Sequence, residues 1–168
     1  MRLEVRLLGD PVLRQKADPV SAITADMRKL IADMFDTMYA EEGVGLAAPQ
    51  VGISERIIVV DPHDDETKPF ALINPEILDA GAETEKNEEG CLSIPGIRDL
   101  VERSVSVRVR GLTETGEVRE LEAEGLLSRI LQHEIDHLNG VLFLDRLSPL
   151  KRSMAMKKWQ KTKPEGAR

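Results

Sequence analysis

Met27, Leu30, Ile31, Met34, Phe35 and Met38 recur at helical spacing, which predicts an amphipathic helix with one face on a core. Thr24 precedes the stripe as N-cap, and the helix is expected to run to about Glu42. The pattern then breaks. EEGVGLAAPQVG, residues 41–52, holds three glycines and a proline and reads as a loop. IIVV at 57–60 and FALIN at 70–74 are unbroken apolar runs, predicting short buried strands on either side of the polar turn DPHDDETKP.

Valine alternates with polar residues through SVSVRVRGL, 104–112, and TETGEVRELEAE supplies a turn and a second strand. That pairing predicts antiparallel strands with one buried face. From Gly125 the period becomes helical again, with Leu126, Leu127, Ile130, Leu131, Glu134 and His137 on one broad side, and it stops near Asn139-Gly140. Ser148 and Pro149 then open a last helix as N-cap and first residue. The expected fold class is α+β, with antiparallel strands around a central helix, flanked by N-terminal and C-terminal helices.

At 168 residues the chain is long enough for one core and short for two, so residues 1–168 are expected to form a single domain. No apolar run is long enough to span a bilayer, and the N-terminus lacks the apolar stretch of a secretory signal, which predicts a cytoplasmic protein without a membrane partner. The single cysteine, Cys91, agrees with a reducing compartment and excludes an intramolecular disulfide. Charge is unevenly distributed. Residues 149–168 carry seven Lys or Arg and one Glu, net +6, leaving −13 on the other 148 residues. The acidic body argues against nucleic-acid binding there, while the basic tail reads as a docking element.

The candidate chemistry lies in QHEIDHLNGVLF, residues 132–143. His133 and His137 stand four apart and so project from one helix face, able to grip one metal ion with Glu134 beside them as a general base. Gly140 matches the longer zinc-protease form, but Phe143 stands where that form has its last histidine. A catalytic site of this kind takes three protein ligands and leaves a position for water. His63, in a polar turn, reads as a solvated loop residue, and Glu165 is the only glutamate after His137. Cys91, in EEGCLSIPG, is a good ligand for zinc or ferrous iron as a thiolate, although a lone intracellular cysteine is commonly just a small buried hydrophobe. The incomplete H-E-x-x-H motif shifts that balance toward ligation.

Three motifs now stand in order: GVGLAAPQ at 43–50, EGCLS at 89–93 and QHEIDH at 132–137. Together they resemble the peptide deformylases, and the similarity extends through HLNGVLFLDRLSPLK and MFDTMYAEEG to nearly the whole chain. The resemblance implies a metal-dependent hydrolase that removes the N-terminal formyl group from nascent polypeptides beginning with formyl-methionine. It implies Cys91, His133 and His137 as metal ligands, ferrous iron as the native ion, and zinc or nickel as alternatives. A bound dication makes water a nucleophile near neutral pH, Glu134 moves its proton, and developing oxyanion charge needs aimed donors. The resemblance assigns that last role to the Gln50 side chain and the Leu92 backbone N–H; an amide bonding its own glycine-rich loop is the alternative for Gln50.

Gly43 and Gly45 are expected to let an extended peptide approach the backbone, with Gly90 in the facing motif. Val44, Leu126 and Ile130 are candidates for an apolar methionine pocket or for plain core, and Arg98 for bonding peptide carbonyls or for an ordinary surface position. Arg129 and Asn87 stand where the resemblance implies apolar pocket residues, which predicts a more polar rim. Asp136 is expected to orient a neighbour or to pair with an arginine such as Arg103. The basic tail is similar to the helix through which some deformylases are thought to dock on the ribosome. Two other readings remain open at this stage: an endopeptidase with the same chemistry, and a binding protein with a structural metal. Structural sites usually close with four protein ligands, and only three are found, which favours catalysis.

Overall fold

The computed structural model describes all 168 residues. Helix α1, Ala25–Ala40, starts at Thr24, whose hydroxyl accepts from the Met27 N–H, as the spacing predicts. Strands β1, Gly45–Ala47, β2, Ile57–Val60, and β3, Phe70–Ala80, follow, then β4, Thr84–Cys91, and β5, Ile94–Ser104. Strands β6, Ser106–Leu112, and β7, Val118–Glu124, lead into α2, Gly125–Leu138, and the chain closes with α3, Pro149–Thr162. Five strands form one antiparallel sheet in the order β1-β2-β3-β6-β7, while β4 and β5 make a separate hairpin.

Two helices explain why IIVV carries no polar position. Alternate residues of a strand face opposite sides, so Ile57 and Val59 pack with Met34 and Met38 of α1, whereas Ile58 and Val60 pack with Ile130, Leu131, Ile135 and Leu138 of α2. Both faces of β2 are therefore buried. A third cluster joins Ile94, Ile97 and Val101 of β5 to Phe143, Ala155 and Trp159. Phe143 is thus core, and α3 is partly built into the fold rather than hanging free.

The β4–β5 hairpin was not predicted. Residues 84–88 of β4 are all exposed and polar, so they carry no apolar alternation, and pairing with β5 alone makes them a strand. Strand β3 extends beyond Asn74 to Ala80, and β6 begins at Ser106 because Ser104 belongs to β5. Within the expected loop 41–52, Gly45–Ala47 pairs with β2 and Ala48–Val51 forms a 3₁₀ turn. Helix α2 ends at Leu138 with Asn139 as its C-cap, and Gly140 takes φ 73°; a Cβ there would lie 2.6 Å from the Arg14 carbonyl oxygen. These connections set the last turn of α2 against the end of β4.

Candidate metal centre

His133 and His137 occupy one face of α2, and the end of β4 brings Cys91 to that face. Their Nε2 atoms are 3.2 Å apart, and Cys91 Sγ lies 3.4 Å from His137 Nε2. One donor atom from each of the three residues falls within 4.8 Å of the others, so the group could hold a metal ion. A thiolate and two imidazoles suit iron or zinc chemically. His63 is not in this group.

A carboxylate that sequence reasoning passed over fixes the geometry. Glu89 Oε1 lies 2.7 Å from His133 Nδ1, and because an ionised carboxylate only accepts, Nδ1 donates and Nε2 is the nitrogen left to face the Cys91 side. Burial works to raise the Glu89 pKa, but hydrogen bonds from Arg103 and His133 hold it well below the usual carboxylate range. Arg103 donates to it through Nε and Nη2, both at 2.9 Å, and Arg129 through Nη1 at 2.7 Å. Arg103 also reaches Asp136 at 2.7 Å, as expected, and Arg146 holds the same carboxylate from the other side. The signal available in sequence was chemical: metal-binding histidines usually give their second nitrogen to a carboxylate, and Glu89 sits two residues before Cys91.

The two histidines differ in charge preference. Burial, and then the neighbouring His133, push His137 well below its ordinary pKa, which keeps it a neutral donor. Burial also disfavours charge on His133, but Glu134, Cys91 and Glu89 outweigh it and raise its pKa well above the ordinary value. That anionic surrounding favours a positive charge at His133, a demand that a proton or a metal cation satisfies equally. Glu134 is buried, its Oε1 has no hydrogen-bond partner, and burial lifts its pKa to about 7.

A cleft of about 490 Å³ opens beside this group. It is lined by Gly43, Val44, Gly45, Gln50, Gly90, Cys91, Leu92, Arg98, Leu126, Ile130, His133 and Glu134, while His137 lies behind. Gln50 is buried; its Nε2 lies 3.2 Å from Ser93 Oγ and 3.5 Å from Cys91 Sγ, and its Oε1 accepts from the Ala47 N–H. The loop-bonding alternative is therefore half right: one end of the amide braces its own loop and the other faces the thiol. The Leu92 backbone N–H bonds to no other backbone group of the chain. Leu126 and Val44 are 53% and 37% exposed and so are not core, whereas Ile130 at 3% serves both cleft and core.

The expected polar rim needs correction. Asn87 does not line the cleft. Arg129 does, but its guanidinium is buried and committed to Glu89, the Val101 carbonyl and the Glu85 carbonyl. Arg98 is exposed and pairs with Glu88 at 2.7 Å, and a Cβ at Gly90 would meet Arg98 Nη1 at 2.7 Å. It crosses the open face of Gly90 at the cleft edge.

An α+β fold that brings to one cleft a Cys-His-His group able to hold a metal ion and a glutamate whose Oε1 is buried and unpaired matches the H-E-x-x-H pattern of metallohydrolases. The polypeptide deformylase family model matches residues 2–153. A peptide deformylase from Thermodesulfovibrio yellowstonii is 49% identical over 163 residues, covering 96% of this chain and 98% of that protein, and one from Thermotoga maritima is 51% identical over 154 residues, covering 92% of each. Among solved structures, a peptide deformylase from Legionella pneumophila superposes with TM-score 0.90 at 47% identity, covering 96% of this chain and 95% of that one. One from Synechococcus elongatus in complex with actinonin gives 0.88 at 48%, covering 94% and 86%. The chain belongs to the peptide deformylase family.

Proposed function

We propose that this chain hydrolyses the N-terminal formyl group from peptides beginning with formyl-methionine, releasing formate, with one divalent metal ion held by Cys91, His133 and His137. The observation that carries the reading is the convergence of Cys91 Sγ and two imidazole Nε2 atoms beside Glu134 Oε1, which is buried and unpaired. Bound there, the ion supplies Lewis acidity, lowering the pKa of water toward neutrality and polarising a carbonyl oxygen. Ferrous iron is the first candidate, with zinc or nickel as substitutes.

Glu134 takes a proton from the attacking water and returns it to the departing amine nitrogen, a shuttle suited to a carboxylate whose pKa lies near 7. The Leu92 N–H and the Gln50 amide donate to the formyl oxygen as charge develops on it. Gly43, Val44, Gly45 and Gly90 receive the extended peptide backbone, Leu126, Ile130 and Val44 the methionine side chain, and Arg98 the chain beyond. Gly45 has a second reason to be glycine: a Cβ there would lie 2.6 Å from Glu134 Oε2.

Residues 1–168 act as one catalytic domain in the cytoplasm, and no helix is long and apolar enough to cross a membrane. The basic helix α3 contacts the ribosome, with Lys157, Lys158 and Lys161 at its exposed surface. Because Trp159 is buried, charge reversal of those lysines tests this contact better than deleting residues 149–168.

The deciding experiment measures formate release from a formyl-methionyl dipeptide by anaerobically prepared protein, with an N-acetyl analogue and the peptide bond as controls. Wild type releases formate and spares both controls, while Glu134→Ala and Cys91→Ser do not release it. Full activity in Glu134→Ala would overturn the mechanism, and cleavage of the peptide bond would make the protein an endopeptidase.

A further inference from the structure

One wall of the cleft is held from behind by side chains that the proposed reaction does not use. His63 Nε2 lies 3.1 Å from the Gly43 carbonyl oxygen. A carbonyl only accepts, so Nε2 carries the proton and donates. The other ring nitrogen faces Asp61 Oδ2 at 3.5 Å, and the same carboxylate accepts the His63 backbone N–H at 2.8 Å and the Tyr39 hydroxyl at 2.7 Å. The Asp61 backbone N–H in turn donates to the Val44 carbonyl at 2.8 Å. Asp61 thus joins the end of α1, the turn after β2 and the cleft segment 43–45.

Backbone strain marks the same place. Only three non-glycine residues have positive φ: Glu42 at 57°, Asn74 at 52° and His63 at 60°. Asn74 is accounted for by its amide, which bonds both the N–H and the carbonyl of Val20. Glu42 is likewise accounted for as the left-handed residue that closes α1, its N–H donating to the Tyr39 carbonyl and the Gly43 N–H to the Met38 carbonyl, whereas His63 stands at one end of the bond between its own Nε2 and the Gly43 carbonyl. Such conformations persist only where the surroundings over-determine them, and they gather at ligand-binding segments. What the segment offers is the Val44 N–H, which bonds to no other backbone group of the chain, beside a side chain 37% exposed at the cleft.

We propose that Tyr39, Asp61 and His63 form a positioning network for substrate, in which His63 acts through the Gly43 carbonyl to hold the Val44 N–H toward an extended peptide. The proposal rests on the peptide-hydrolase reading of the cleft. His63 does not touch substrate; it sets the backbone that does.

The test compares holoenzyme of wild type, His63→Ala, His63→Gln and Tyr39→Phe in two measurements: steady-state release of formate from a formyl-methionyl tripeptide, and hydrogen–deuterium exchange of the segment 41–47. His63→Ala is expected to raise KM about fivefold, the factor of one neutral hydrogen bond, with kcat within about twofold, since uniform binding is lost. Exchange in 41–47 should quicken in parallel. His63→Gln, whose amide N–H can reach the same carbonyl, restores both readouts, and Tyr39→Phe falls between. Unchanged KM and unchanged exchange in His63→Ala would overturn the network, as would an equal fall of kcat in the alanine and glutamine variants. If wild type released no formate, the functional reading would fall on its own, and exchange would still report whether His63 holds the segment.

Discussion

Glu89 and His133 are joined by a buried bond of 2.7 Å between Oε1 and Nδ1, and that contact settles which imidazole nitrogen faces Cys91. The carboxylate is kept anionic by Arg103 and Arg129. Two cations on one buried anion tie the β4–β5 hairpin to α2, so the orientation of the histidine and the attachment of the hairpin share one cause.

Glu89→Ala is expected to weaken metal binding roughly 10- to 100-fold, the usual cost of losing a carboxylate behind a ligating histidine. Competition against a chromogenic chelator measures it. Thermal unfolding should also show a loss, because Arg103 and Arg129 are left buried without their common partner. Unaltered metal affinity would remove Glu89 from the site.

Gln50→Ala should lower kcat about 100-fold, as expected for removing one donor aimed at a developing oxyanion. The melting temperature should also fall, because the buried amide gives up its bonds to the Ala47 N–H, Ser93 Oγ and Cys91 Sγ. A raised KM with unchanged kcat would show that Gln50 only shapes its loop.

Gly45→Ala places a methyl group 2.6 Å from Glu134 Oε2 and 2.9 Å from Ile130 Cγ2. Relief of that overlap is expected to cost about 1–3 kcal/mol of stability, by analogy with overpacked cores, and turnover should fall further because the displaced atom belongs to the proton carrier. Denaturant unfolding and formate release report the two effects separately.

Asp145 gives an acid-side dependence. Burial tends to raise its pKa, but Arg14 and the Leu142 N–H lower it below the ordinary aspartate value of 3.8. A lowered folded-state pKa stabilises the fold above the unfolded value, and that contribution disappears as pH falls through the folded one. Asp145→Asn should therefore melt below wild type at neutral pH, with the gap closing under acid. Thermal scans from neutral pH downward check this, and a gap that widened in acid would reverse the sign.

Much of this protein could be read from local pattern. The stripe from Met27 to Met38 and the cap at Thr24 specify α1, and the i, i+4 histidines sit on one face of any helix that contains them. The doubly apolar run 57–60 already required cover on both sides. These are properties of a few successive residues, and local geometry decides them.

Tertiary structure alone decided the rest. Residues 84–88 form a strand because β5 pairs with them, and Glu89 meets His133 across 44 positions only after that hairpin folds onto α2. Arg129 breaks an apolar wall in sequence, yet its charge is taken up by Glu89 and two backbone carbonyls. His63 is the exposed turn residue its sequence setting suggests, and folding alone brings the Gly43 carbonyl within 3.1 Å of its ring. Charge compensation and hydrogen bonding between distant segments depend on distances that no local spacing encodes, whereas helical faces and strand alternation repeat along the chain itself.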